Sequence, residues 1–96
     1  MLLLRPKSPD ETKFYEFDWA EKRLDVGEVI TSYGWEVAQG TVEVAADPPP
    51  SEPETGVLRV YLTGGTLGET CIVTSWVETN LNPRRDYSAK LKIRQI

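Results

Sequence analysis

The chain has no histidine and only one cysteine, Cys71, in 96 residues. Histidine is the commonest general base near neutral pH and the commonest zinc ligand, so its absence removes Ser-His and Cys-His nucleophile pairs and histidine-based zinc centres. A single cysteine cannot close an intrachain disulfide, which leaves packing to hold the fold and suits a reducing cytoplasm. Long apolar runs are also missing. Residues 1–4 are apolar but meet Arg5 and Pro6 at once, far short of the ~20 residues of a spanning helix or the ~7–15 of a signal-peptide core. Nor is there a cationic surplus: 15 acidic against 11 basic residues give a formal charge of −4, which disfavours nucleic acid and anionic membranes as partners.

What is present is one core's worth of apolar side chains. Hydrophobic residues make up 40% of the chain, with three Trp, four Tyr and two Phe, which is enough to fold one domain and too little for two. Residues 1–13 carry two prolines and a charged end, and read as an extended N-terminal arm. Its Leu2, Leu3 and Leu4 either pack back as an added edge strand or project to add a strand to a neighbour. Residues 14–96 form the domain proper.

Period-two alternation, the mark of half-buried strands, recurs along that domain. Tyr15, Phe17 and Trp19 face one way against Glu16 and Asp18; residues 20–27 read as a helical turn closing through Leu24. In residues 28–38 the apolar register shifts between Ile30 and Trp35, which predicts a bulge at Gly34. Gln39-Gly40 and residues 41–46 then complete a predicted hairpin. Residues 47–56 hold four prolines and three acidic residues and read as an extended loop, neither helix nor ladder.

Leu58, Val60 and Leu62 alternate next, followed by a glycine-rich turn, Thr63-Gly64-Gly65-Thr66-Leu67-Gly68. Glu69 stands where a phosphate-binding loop needs lysine, so a nucleotide reading of that turn fails. Cys71, Val73, Ser75 and Val77 face inward on the following strand, with Ile72, Thr74, Trp76 and Glu78 on the other face. Tyr87, Ala89, Leu91 and Ile93 take the inner parity of the last. Six or seven short strands punctuated by turns predict an all-β, antiparallel, immunoglobulin-like sandwich.

Chemistry-bearing residues are sparse. Cys71 falls on inward parity and reads as a small buried hydrophobe. The carboxylates of Asp10, Glu11, Asp18, Asp47 and Glu69 could in principle pair for hydrolysis or calcium, but no Asp-x-Asp-x-Asp loop supports it. No catalytic residue, metal ligand or cofactor site is assigned. The binding candidates are Leu2, Leu3, Leu4, Tyr61, Trp76, Arg84 and Arg85. Trp76 sits on outward parity and calls for a partner, whether the arm or proline-rich loop of its own chain or a neighbouring subunit. Lys90, Lys92 and Arg94 read as a solvated strand edge, since edge strands carry lysine against aggregation, with a phosphate-binding stripe as the alternative.

Several motifs in linked order resemble the small fiber-tail adaptor proteins of tailed phages and prophages. They are Ser8-Pro9-Asp10-Glu11 before an aromatic strand ending in Asp18-Trp19; Glu28-Val29-Ile30-Thr31-Ser32 with Trp35-Glu36-Val37; Val60-Tyr61-Leu62-Thr63-Gly64-Gly65-Thr66-Leu67-Gly68-Glu69; Cys71-Ile72-Val73-Thr74; and Arg84-Arg85 before the final strand. The likeness spans residues 8–94. It departs at Cys71, where an aromatic is usual, and in the length of the proline-rich insertion. The resemblance implies Trp19, Ile30 and Trp35 as core anchors and a non-enzymatic virion protein joining fibers to the tail or neck. Its partners would be other tail, neck or fiber proteins, in several copies around a symmetric ring, assembled in the bacterial host cytoplasm. The alternative is a free-standing carbohydrate- or protein-binding module with Trp76 and Tyr61 as an aromatic platform.

Overall fold

A computed structural model describes residues 2–19, 24–46 and 49–95. Among the described residues the elements are seven strands and one 3₁₀ turn. The strands are β1 (Leu2–Leu3), β2 (Lys13–Asp18), β3 (Ile30–Gln39), β4 (Val42–Val44), β5 (Val57–Gly64), β6 (Thr70–Thr79) and β7 (Arg85–Lys92). They form a four-stranded sheet in the order β1-β7-β6-β3 and a three-stranded sheet in the order β2-β5-β4. All pairings are antiparallel except β1 with β7, where Leu2 and Leu3 run parallel to Ala89 and Lys90.

The core lies between the two sheets and is filled by the inward parity of each strand. Phe17, Leu58, Val60 and Leu62 from the smaller sheet are fully buried, as are Cys71, Val73, Val77, Ala89 and Leu91 from the larger one. Alternation places them there because successive side chains leave a strand on opposite faces. Trp19, just beyond β2, is also fully enclosed, and its indole N–H donates to Ser75 Oγ at 3.0 Å. A buried tryptophan needs that acceptor, which explains a hydroxyl on the inward side of β6. Leu24 packs against this core; residues 20–23 of the helical turn expected to close through it lie outside the described residues.

Three local expectations are corrected. Gly34 is not a bulge: it pairs in register with Trp76, and the irregularities fall between Ile30 and Ser32 and between Val37 and Gln39. The first of them reconciles the parities of Ile30 and Trp35 three residues before Gly34. Residues 28–46 are not a hairpin, because β3 pairs with β6 and β4 with β5. The chain instead crosses between sheets at Gly40, whose φ of +101° is open to glycine and costly for other residues. A Cβ there would also strike the Cys71 sulfur. Finally, the proline-rich segment contains a 3₁₀ turn, Pro53–Thr55, and a bridge from Glu52 to Val57. Pro53 starts the turn with its fixed φ and Gly56 ends it in the left-handed region at φ 80°. Asp47 and Pro48 lie outside the described residues.

Candidate interaction surfaces

The predicted binding residues other than Arg85 occupy three separate surfaces. Trp76 stands on the outer face of the four-stranded sheet, half-buried. Its indole occupies the space above Gly34, and the Arg84 guanidinium lies 5.3 Å from the ring centroid. Arg84 is held in place by Glu36 at 3.0 Å and Asp86 at 2.9 Å. Trp76 thus meets Gly34 of β3 and Arg84 of the 80–84 loop.

Tyr61 lies on the outer face of the other sheet, edge-on to its cross-strand partner Phe14 at 6.1 Å. Tyr61 and Trp76 therefore look away from each other across the core. A single aromatic platform containing both is excluded, because the parity of each strand fixes its outward residues to its own sheet. Arg85 belongs to neither surface. It turns toward the interior, where it bonds Glu28 at 2.5 Å and sits 6.0 Å from the Trp19 ring centroid.

The third surface is the arm. It folds back on its own domain: Leu4 N–H donates to Lys90 O at 2.9 Å, Lys7 bridges Ile93, and Arg94 N–H donates to Lys7 O at 3.0 Å. Leu2 and Leu4 pack against the core while Leu3 stays 72% exposed. Lys7 is a buried lysine whose ammonium donates to the Ser8 and Gly64 carbonyls. Burial pulls its pKa below the ordinary lysine value, with Glu11 pulling the other way. Tyr15 completes the anchorage by donating its hydroxyl to Arg5 O at 2.7 Å, and burial, followed by the Glu11 charge, pushes that phenol upward. Sequence pattern did not single out Lys7.

Two carboxylates organise the loops, and neither was read as doing so. Glu28, its side chain fully enclosed, accepts from Thr79 Oγ1 and Asn82 Nδ2, both at 2.6 Å, from Asp25 N–H at 3.0 Å and from Arg85. Those bonds, the Thr79 hydroxyl's first, hold its pKa down to about 2. Asn80 ties the same two loops through Gly27 O and both backbone polar groups of Val29. At the other end Glu69 accepts from Thr41 Oγ1, Thr66 N–H and Thr41 N–H and is likewise held to about 2, chiefly by the Thr41 hydroxyl. It thereby joins the glycine-rich turn to the crossing at Gly40. Both carboxylates are engaged by the loops they join, and among the described residues no three His, Cys, Asp or Glu side chains group as a metal site. Cys71 is buried, and burial raises its thiol pKa, so it is a poor nucleophile. No helix among the described residues is long and apolar enough to cross a membrane.

Comparison with known families settles the class of protein. The family described as podophage GP4 fiber-tail adaptor protein gp77 matches residues 7–92. The chain belongs to this family. No individual curated protein matches it. Membership in the fiber-tail adaptor family gives the chain a structural, tail-associated role. The family match begins at the buried Lys7, so it takes in the inner end of the arm and β2 to β7 but not β1.

Proposed function

We propose that the chain is a non-enzymatic structural protein of a tailed phage virion, an adaptor that joins fibers to the tail or neck. The match to the adaptor family over residues 7–92 carries this reading. Its partners are other tail, neck or fiber proteins, held in several copies around a symmetric ring, with no part for nucleic acid, membrane or cofactor. Assembly takes place in the host cytoplasm, consistent with a fold that uses no disulfide.

The scaffold is read as immunoglobulin-like. In such domains strands B, E and D lie in one sheet and C, F and G in the other. The orders β2-β5-β4 and β7-β6-β3 follow that plan, with the first strand moved to the edge beside the last. Such a sandwich exposes strand edges and two outer faces, which suits a small protein that must touch several neighbours at once. The free-standing carbohydrate-binding alternative loses the shared Tyr61–Trp76 platform that motivated it.

Immunogold electron microscopy of phage particles, with antibody against the folded domain, tests the role. Label at one fixed tail or neck position is the expected result. Intact particles without label, given an antibody that recognises the native protein, would overturn it.

A further inference from the structure

The cations of this chain are distributed unevenly. Among the described residues, every arginine away from the arm is ion-paired: Arg59 with Glu16 and Glu52, Arg84 with Glu36 and Asp86, Arg85 with Glu28. Arg5, Lys13, Lys90, Lys92 and Arg94 have no ion pair of that kind among the described residues. All five lie on the arm, on the β7 end to which it pairs, or at the start of β2 beside it. A basic zone therefore sits on a chain whose net charge is −4.

This zone surrounds an open strand edge. β1 is the outermost strand of the larger sheet and β2 the outermost strand of the smaller one. Between them runs a cleft of about 430 Å³ bordered by Leu3, Leu4, Arg5, Lys13 and Phe14, and by Glu16, whose charge is paired with Arg59. A second, smaller cleft brings Leu3, Leu4 and Pro6 together with Lys90, Lys92 and Arg94. Protection of an edge against aggregation would put the lysines on the edge strand itself. Here the edge strand carries leucines, with Leu3 72% exposed, and the lysines stand one strand further in. Apolar contacts along an unpaired edge, flanked by cations, are the complement of an extended segment that alternates apolar and acidic side chains.

We propose that the β1 edge is a docking site for an acidic, extended polypeptide segment of a partner protein, which adds to the larger sheet as a further strand. The partner's main chain pairs with the free edge of β1, its apolar side chains extend the inward face beside Leu4, and its carboxylates, on the outward face shared with Leu3, meet Lys90, Lys92 and Arg94. Attribution of that partner to the virion rests on the adaptor reading, whereas the surface itself can be tested on the isolated chain.

The test is an NMR titration of the ¹⁵N-labelled full chain with a blocked peptide alternating glutamate and valine. Expected are shifts confined to the amides of the arm and the end of β7, with affinity falling roughly tenfold in the K92E/R94E variant and on raising salt. Both side chains are exposed, so the variant should keep its melting temperature within the small range of surface changes. A peptide of equal charge interrupted by prolines cannot add as a strand and should bind several-fold more weakly. Shifts elsewhere, absence of binding, indifference to K92E/R94E, equal binding of the proline peptide, or tighter binding of duplex DNA at the same residues would each overturn the proposal. So would an unliganded dimer dissociated by K92E/R94E, which would make the occupant a second copy. Peptide binding by a chain that is absent from particles would leave this inference standing and sink the adaptor reading alone.

Discussion

The Trp76 indole fills the place that a side chain at Gly34 would take: a Cβ there would lie 2.6 Å from Cζ2 of the ring. The two residues are cross-strand partners on the outer face of the larger sheet. Glycine weakens a strand in general, so its presence mid-strand answers to the ring. Gly34→Ala should destabilise the domain by about 1–3 kcal/mol through overpacking. In a Trp76→Ala background the same change should be neutral or stabilising. Urea denaturation of the four variants measures the coupling, and equal effects in both backgrounds would refute the packing account.

Ser75→Ala should cost about 1–3 kcal/mol, because it leaves the fully buried Trp19 N–H without its acceptor. The change removes only one oxygen, so the effect will come from the unpaired donor and not from lost volume. A thermal shift no larger than that of an exposed serine substitution would contradict this.

Acid should loosen the loop end built on Glu28. Its folded pKa is about 2 against an ordinary value of 4.5, so the native state binds fewer protons than the unfolded chain across that window. Stability linked to this group is fully present above about pH 4.5 and drains away as pH falls toward 2. Glu69 acts in the same sense and the same window at the opposite end. Glu28→Gln should lower the melting temperature at pH 7 and flatten its fall between pH 5 and about pH 2. A variant that retains the full acid dependence would show that other groups govern it.

The arm should read as a strand in mutational data. Leu2→Ala and Leu4→Ala, which remove side chains packed against the core, should each cost about 1–2 kcal/mol. Leu3→Ala, at a 72% exposed position, should stay within about 0.5 kcal/mol. Removing residues 1–4 should leave a folded but less stable domain, measurable by calorimetry, and weaken assembly into particles. Three equal leucine effects would mean that the arm does not hold this register in solution.

These expectations separate what is legible locally from what is not. Asn80 and Lys7 are not singled out in the sequence, and Glu28 only as part of a family motif, because nothing in their neighbourhood reveals what they bond. Their importance comes from partners about fifty residues away, such as Thr79 for Glu28 and Gly64 for Lys7. Trp76 and Tyr61 were rightly placed on outward parity, but parity says nothing about which sheet a strand joins. Only pairing puts them on opposite sides of the molecule. Arg84 and Arg85, adjacent in sequence, divide between the surface and the interior because Arg84 closes a loop while Arg85 opens β7 on its inward parity.

The sequence by itself determined the all-β class and the inward sets Tyr15-Phe17-Trp19, Leu58-Val60-Leu62, Cys71-Val73-Val77 and Ala89-Leu91-Ile93. Alternation is a consequence of backbone geometry at each residue and needs no distant partner to be read. The tertiary structure decided that Gly40 is a crossing and not a hairpin turn, that the arm lies parallel to β7, and that the unpaired cations gather around that edge. Each of those depends on which strands meet, and strand pairing is a long-range choice made by the burial of the whole core.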